Sequence, residues 1–201
     1  MKSLFITGIG TGIGKTIVSA VLTEKLKADY WKPVQSGDLE NSDTDLVKSL
    51  VSNTVSRFHP EVYRLTQPFS PHKSADLDGI KIDPSKFILP STKNQLIIEG
   101  AGGLMVPLND DFLMIDLIKQ LNAEVILVSR NYLGSINHTL MSAGILQAKG
   151  IKMSRLIFCG DEDTYSESFI KSYLNIESTH IPQFNELNAD IISQFAKGLN
   201  W

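Results

Sequence analysis

GIGTGIGKT, residues 8–16, is the stretch whose reading decides the fold. It follows the apolar run LFIT (4–7) and opens a segment with helical periodicity. Gly-Lys-Thr between a strand and a helix is the setting of a phosphate-binding P-loop. Glycines let backbone N–H groups approach phosphate oxygens without a Cβ in the way. The helix N-terminus adds free donors and a favourable dipole. Lys15 can reach the outer phosphates, and the Thr16 hydroxyl can bind Mg2+. The usual pattern has four residues between its first glycine and the Gly-Lys pair, which would put that glycine at Ile9; here five residues separate Gly8 from Gly14. A plain turn has no need of Lys-Thr just inside the helix, so the extra residue reads as a variant of the loop.

Working outward, short apolar runs alternate with helical patterns. Strands are expected at SLFIT (3–7), YWKPV (30–34), QLIIE (95–99), EVILVS (124–129), RLIFC (155–159) and near ESTHIP (177–182). LIIE and VILV are apolar at consecutive positions, as in strands covered on both faces. Helices are expected at 14–28, with Ile17, Val18, Val21, Leu22 and Leu26 on one face, and at 43–51, 112–121, 135–149, 165–174 and 187–198. Five prolines punctuate 52–94, which reads as loops and short helices. The alternation implies an α/β fold: one P-loop domain over 1–201, a mostly parallel sheet flanked by helices on both faces.

Composition narrows the function classes. The 201 residues are 42% hydrophobic and 20% charged, with net charge -3. This points away from nucleic acid or an anionic membrane as main partner. Cys159 is the one cysteine, so an intrachain disulfide or a Cys-rich zinc site cannot form. His59, His72, His138 and His180 lack metal-ligand spacing. The start, MKSLFITG, is too short an apolar run for a secretory signal, and a cytoplasmic protein is expected.

In open α/β sheets ligands bind at the carboxyl ends of the strands. WKPVQSG (31–37) puts Lys32 and Ser36 there, although an isolated lysine at such a position also suits a snorkelling surface role. In NSDTD (41–45), Asp43 reads two ways: a helix N-cap, or a carboxylate aimed at phosphate-bound Mg2+. QLIIEGAGG (95–103) ends a buried strand in Glu99, the usual place of a second metal carboxylate in P-loop proteins. Gly100, Gly102 and Gly103 would let this backbone approach a ligand. In NYLGSINH (131–138), free N–H groups at the helix start could hold a carboxylate or phosphate, or the start could simply be capped.

Together, TGIGTGIGKT, KPVQSG, NSD, SPHKSA (70–75), IIEGAGG followed by VPL, and LGSINHTL, in this order through most of the chain, resemble dethiobiotin synthetase. The five-residue gap is how that family writes its loop. The resemblance implies an ATP- and Mg2+-dependent homodimer that joins CO2 to 7,8-diaminopelargonic acid, giving dethiobiotin, ADP and phosphate through a carbamate and its phosphorylated anhydride. It implies that Lys15 and Lys32 stabilise the transferring phosphoryl group and that Thr11 and Ser36 orient the carbamate end. Thr16, Asp43 and Glu99 would hold the metal, and Gly12, Ile13, Gly14, Thr16 and Ile17 the phosphates, with Gly102 close by. The substrate's far carboxylate would meet Gly134, Ser135, Ile136 and Asn137 of a second subunit, and Pro182 and Glu186 would lie by the nucleoside. Two departures stand out: Gly12 where many relatives have an acid, and Gly160 where an asparagine often reads the base.

ParA/MinD-like ATPase switches are the nearest alternative. They carry a second lysine early in the loop, and Gly10 stands at that position. An amidotransferase synthetase of the same class needs a glutaminase domain for which too few residues follow 160. A non-catalytic phosphate-binding module would leave Lys32, Asp43 and Glu99 without a purpose.

Overall fold

A computed structural model describes residues 3–201. β1 (Leu4–Gly8) leads through the glycine-rich loop into α1 (Lys15–Leu26), then β2 (Asp29–Trp31), β3 (Val34–Ser36) and α2 (Asp43–Leu50). The proline-rich stretch holds β4 (Phe58–His59), β5 (Tyr63–Leu65), α3 (Pro71–Leu77) and a 3-10 turn at Pro84–Lys86. After it come β6 (Leu96–Gly103), α4 (Met114–Gln120), β7 (Glu124–Ser129), α5 (Ser135–Ala148), β8 (Met153–Cys159), α6 (Thr164–Leu174), β9 (Ser178–Ile181) and α7 (Ala189–Gly198).

Among the described residues, seven strands form one sheet in the order β4-β2-β6-β1-β7-β8-β9. Every pairing in it is parallel. Side chains alternate faces along each strand. Leu4, Ile6, Ile97, Ile126 and Val128 pack on the side of α1, α2 and α7. Phe5, Ile98 and Val125 pack on the other side with α4 residues, and Leu127 and Phe158 with α5 and α6 residues. Both faces are therefore covered, which is why the inner strands read as unbroken apolar runs. The chain builds β2 and β4 on one side of β1 and β7, β8 and β9 on the other, so the winding reverses at β1. That reversal opens the crevice in which ligands bind.

Three expectations change. YWKPV is not one strand: Pro33 has no N–H to give a ladder, so the chain leaves the large sheet after Trp31. Val34–Ser36 instead pair in parallel with β5 as a separate two-stranded sheet. The 52–94 stretch thus contributes strands as well as loops and short helices. Helix α1 is buried beyond one stripe, with Ser19 and Thr23 fully enclosed, because it contacts α2 and α7 as well as the sheet.

Candidate active site

The site is assembled by strand parity. Ile97 faces α1, so Glu99, two residues on, faces the same way. Tyr30 faces α1 from β2, and Lys32 follows with the same parity. Asp43 arrives by a local device. Ser42, not Asp43, is the N-cap of α2, bonding the Asp45 backbone N–H, while Asp45 returns a bond to the Ser42 N–H. With the cap supplied by its neighbour, the Asp43 carboxylate is left for the crevice.

Those groups converge on Thr16. Its Oγ1 lies 2.9 Å from Asp43 Oδ1 and 3.0 Å from Glu99 Oε1. Lys32 Nζ lies 2.6 Å from Asp43 Oδ2 and 3.1 Å from Glu99 Oε1. Tyr30 donates its hydroxyl to Glu99 Oε2 at 3.0 Å. Lys15 folds back over its own loop and donates to the Gly10 carbonyl at 2.9 Å. Gln35 steadies the bend, accepting from the Asp43 N–H and donating to the Gly37 carbonyl.

Lys32 and Glu99 are only 4% and 1% exposed, so neither charge can stand alone. Burial disfavours the Lys32 charge, but Glu99 and Asp43 outweigh it and hold its pKa above the ordinary lysine value. Burial likewise opposes the Asp43 charge, and the Lys32 ammonium reverses this, holding that carboxyl below its usual range. Burial and then the Glu99 charge push Tyr30 well above the ordinary phenol value, so it remains a donor. Lys15 differs. Burial pulls it down to about 8, with the Lys32 charge acting in the same direction and Glu99 and Asp43 opposing.

The donor set suits a hard cation. Thr16 has a single hydroxyl proton for two carboxylate oxygens, so three oxygen atoms from three elements crowd one point. A cation that takes one or two carboxylates plus phosphate and water fits such a set. Among the described residues no cluster of three or more His, Cys, Asp and Glu side chains has a ligating arrangement. Ser36 Oγ is buried with no hydrogen-bond partner, ready for a polar ligand atom.

A cavity of about 670 Å³ runs across this ground. Thr11, Gly12, Ile13, Gly14, Lys15, Thr16, Ile17, Lys32, Ser36, Asp43, Glu99, Gly102 and Pro182 all line it. Gly160 and Glu186 are not among its lining residues, and neither are Gly134, Ser135, Ile136 and Asn137. Gly134 caps α5 with a left-handed backbone, φ 103°, and Asn137 is exposed. Gly14, also left-handed at φ 97°, lies so close to Cys159 Sγ that a Cβ there would overlap it. The sequence reading missed Tyr30, Gln35, Arg130 and Phe184, and the last three also line the cavity. Gln35, inside KPVQSG, and Phe184, between Pro182 and Glu186, lie in stretches that carried signal; Tyr30 and Arg130 did not.

A family model described as "AAA domain" matches residues 2–191. Curated relatives share the whole length. "ATP-dependent dethiobiotin synthetase BioD" of Christiangramia forsetii is 50% identical, over 98% of this chain and 95% of its own. The protein of the same name from Cytophaga hutchinsonii is 45% identical over 100% and 99%, and that from Agrobacterium fabrum 43% over 97% and 93%. Among solved structures, a ParA family ATPase from Chlorobium tepidum superposes with a TM-score of 0.59 at 13% identity, covering 99% of this chain and 100% of that one. A chain of the Aquifex aeolicus MinC:MinD cell division protein complex gives 0.61 at 15% identity, over 96% and 86%. At those identities the likeness shows the fold alone: a P-loop NTPase sheet.

Proposed function

The chain belongs to the dethiobiotin synthetase family and is an ATP-dependent ligase of that class; from this premise we propose the chemistry that its own residues perform. The substrate is 7,8-diaminopelargonic acid with CO2. One amine attacks CO2 and loses a proton, giving a carbamate. A carbamate oxygen attacks the γ-phosphorus of ATP and ADP departs. The second amine attacks the carbonyl carbon, phosphate leaves, and the ureido ring closes.

The observation that carries this reading is the set of Lys32, Asp43 and Glu99 gathered around Thr16 at the mouth of the P-loop, with Lys15 folded over the loop beside it. Phosphoryl transfer depends on positioning and preorganised charge. Lys32, enclosed and held charged, faces the carbamate and the transferring phosphoryl group. Lys15 turns from the Gly10 carbonyl to the outer phosphates. Thr11 and the unpartnered Ser36 hydroxyl orient the carbamate end. Backbone N–H groups from Gly12 to Ile17 cradle the phosphates. Thr16, Asp43 and Glu99 would hold Mg2+, which neutralises charge on the phosphoryl oxygens. Gly102 and Pro182 border the nucleotide. Gly160 and Glu186, outside the cavity wall, would act on the nucleoside only indirectly or after a loop shift.

We also infer a homodimer that shares its site. Exposed apolar side chains gather around the α5 start and α6: Tyr132, Leu133, Met141, Phe169 and Tyr173. Such a patch on a soluble surface marks an interaction face. Docking two copies there would bring Gly134, Ser135, Ile136 and Asn137 of one to the cavity of the other, to hold the substrate's far carboxylate. No helix among the described residues is long and apolar enough to cross a membrane.

The test uses purified protein with ATP, Mg2+, bicarbonate and 7,8-diaminopelargonate, following phosphate release and looking for dethiobiotin by mass spectrometry. Diamine-dependent phosphate release with the ureido product, absent in Lys15→Ala, is expected. Hydrolysis indifferent to the diamine would return the chain to the ATPase-switch class.

A further inference from the structure

The cavity has a second end, away from the reacting groups and bordered by Pro182, and the sheet order says what it faces. Lys32 and Glu99 lie at the ends of β2 and β6, on one side of β1. The reacting phosphate must point there. The rest of the nucleotide then extends the other way, towards the ends of β8 and β9, two and three strands from β1. At roughly 4.8 Å per strand this is about 10–15 Å, enough to reach from a P-loop to a nucleobase.

That end is built for a flat ring with a polar edge. Pro182, Phe184 and Leu187 line it, and Phe184 is fixed edge-on against Phe195 of α7, with ring centroids 5.3 Å apart. The polar group is Arg130, just past β7. Its guanidinium donates to Gln183 Oε1 at 3.2 Å and, at 3.4 Å, to the Gly12 carbonyl of the P-loop. Two of its five N–H groups are thus spoken for, leaving donors for a ligand. Its place depends on Gly160: a Cβ there would come 3.1 Å from Arg130 Nε. Gly160 is itself pinned, its N–H on the Ile181 carbonyl and its carbonyl 2.9 Å from His180 Nε2. Space left by a missing side chain is filled by a guanidinium.

We propose that Arg130, held by Gln183, reads the nucleobase and admits guanine alongside adenine. This rests on the cavity being the nucleotide site. A guanidinium offers donors only. Guanine presents two adjacent acceptors, O6 and N7, which match the fork; adenine presents N7 beside an amino donor, which does not. The site therefore accepts GTP as phosphoryl donor beside ATP, and the fork supplies part of that tolerance.

The experiment compares kcat/KM for ATP and GTP in the wild type, Arg130→Ala and Arg130→Lys. Arg130 is only half-buried, so its loss leaves no enclosed charge. The expected result is usable GTP in the wild type and a GTP:ATP ratio that falls roughly five- to a hundredfold in Arg130→Ala. Lysine keeps the charge without the fork, so Arg130→Lys falls with alanine. If the guanidinium serves the phosphates instead, both nucleotides weaken equally, lysine rescues both, and the proposal is overturned. An unchanged ratio, or strict ATP use in the wild type, also overturns it while leaving the ligase reading intact. Absence of turnover with either nucleotide would overturn both readings.

Discussion

The two ends of the cavity are made differently. At one end, Lys32, Glu99, Tyr30 and Thr16 sit on strand ends and the first turn of a helix, enclosed and bonded to one another. At the other, Arg130 and Gln183 stand on loops after strands, joined by single bonds near the surface. The first end can hold charge out of water because every charge has a partner at about 3 Å. The second can exchange partners with a ligand at little cost. Chemistry that needs fixed charges belongs to the first, and discrimination that tolerates adjustment belongs to the second.

The largest effect that would sharpen the contrast is at Glu99, which receives Thr16, Lys32 and Tyr30. Glu99→Gln should lower kcat by a factor on the order of a hundred to a thousand. It should also cost about 3 kcal/mol of stability, since it weakens an enclosed ion pair. A urea melt and a turnover assay would register both; a variant as stable and active as the wild type would dissolve the distinction. Tyr30→Phe comes next. It leaves Glu99 Oε2 enclosed without its donor, at a cost of roughly 1–3 kcal/mol, read as a lowered Tm with turnover much less affected.

A proton count probes the hinge between the ends. Lys15, pulled down to about 8 by burial, is largely neutral in the free protein above that pH, and bound phosphates favour its charged form. Nucleotide binding should therefore be accompanied by proton uptake at Lys15 near pH 8.5 and by none there near pH 6.5, where it is charged in both states. Calorimetry in buffers of different ionisation enthalpy measures this, and equal uptake at both pH values would contradict it. The smallest effect belongs to the loop end. Gln183→Ala should change kcat/KM for ATP by no more than about threefold, because it removes one exposed hydrogen bond; a hundredfold loss would mean that the loop end is held as rigidly as the enclosed one.

How much of this was legible in the sequence follows the same division. The P-loop and Glu99 were readable because a motif states residue type and spacing together and a strand end fixes side-chain direction by parity; Lys32 read equally as a surface lysine and Asp43 as a helix cap until the ordered motifs were taken together. The strands at 124–129 and 155–159 were readable because burial on both faces leaves no polar position in their centres. Pro33 was visible as a residue, yet the small β3–β5 sheet was not, since a three-residue strand is set by its partner rather than by its own pattern. Tyr30 looked like core, and its hydroxyl bond depends on a residue 69 positions away. Arg130 carried no signal either: what defines it is the space beside Gly160, thirty residues on, which sequence shows only as a missing asparagine.

The most direct measurement pairs nucleotide binding with turnover in Lys32→Ala. If the enclosed end performs the chemistry and the remainder holds the nucleotide, ATP should bind within about tenfold of the wild type by calorimetry while turnover falls at least about a hundredfold. Turnover that survives, or that disappears only in step with ATP binding, would contradict the assignment of Lys32 to the reacting groups.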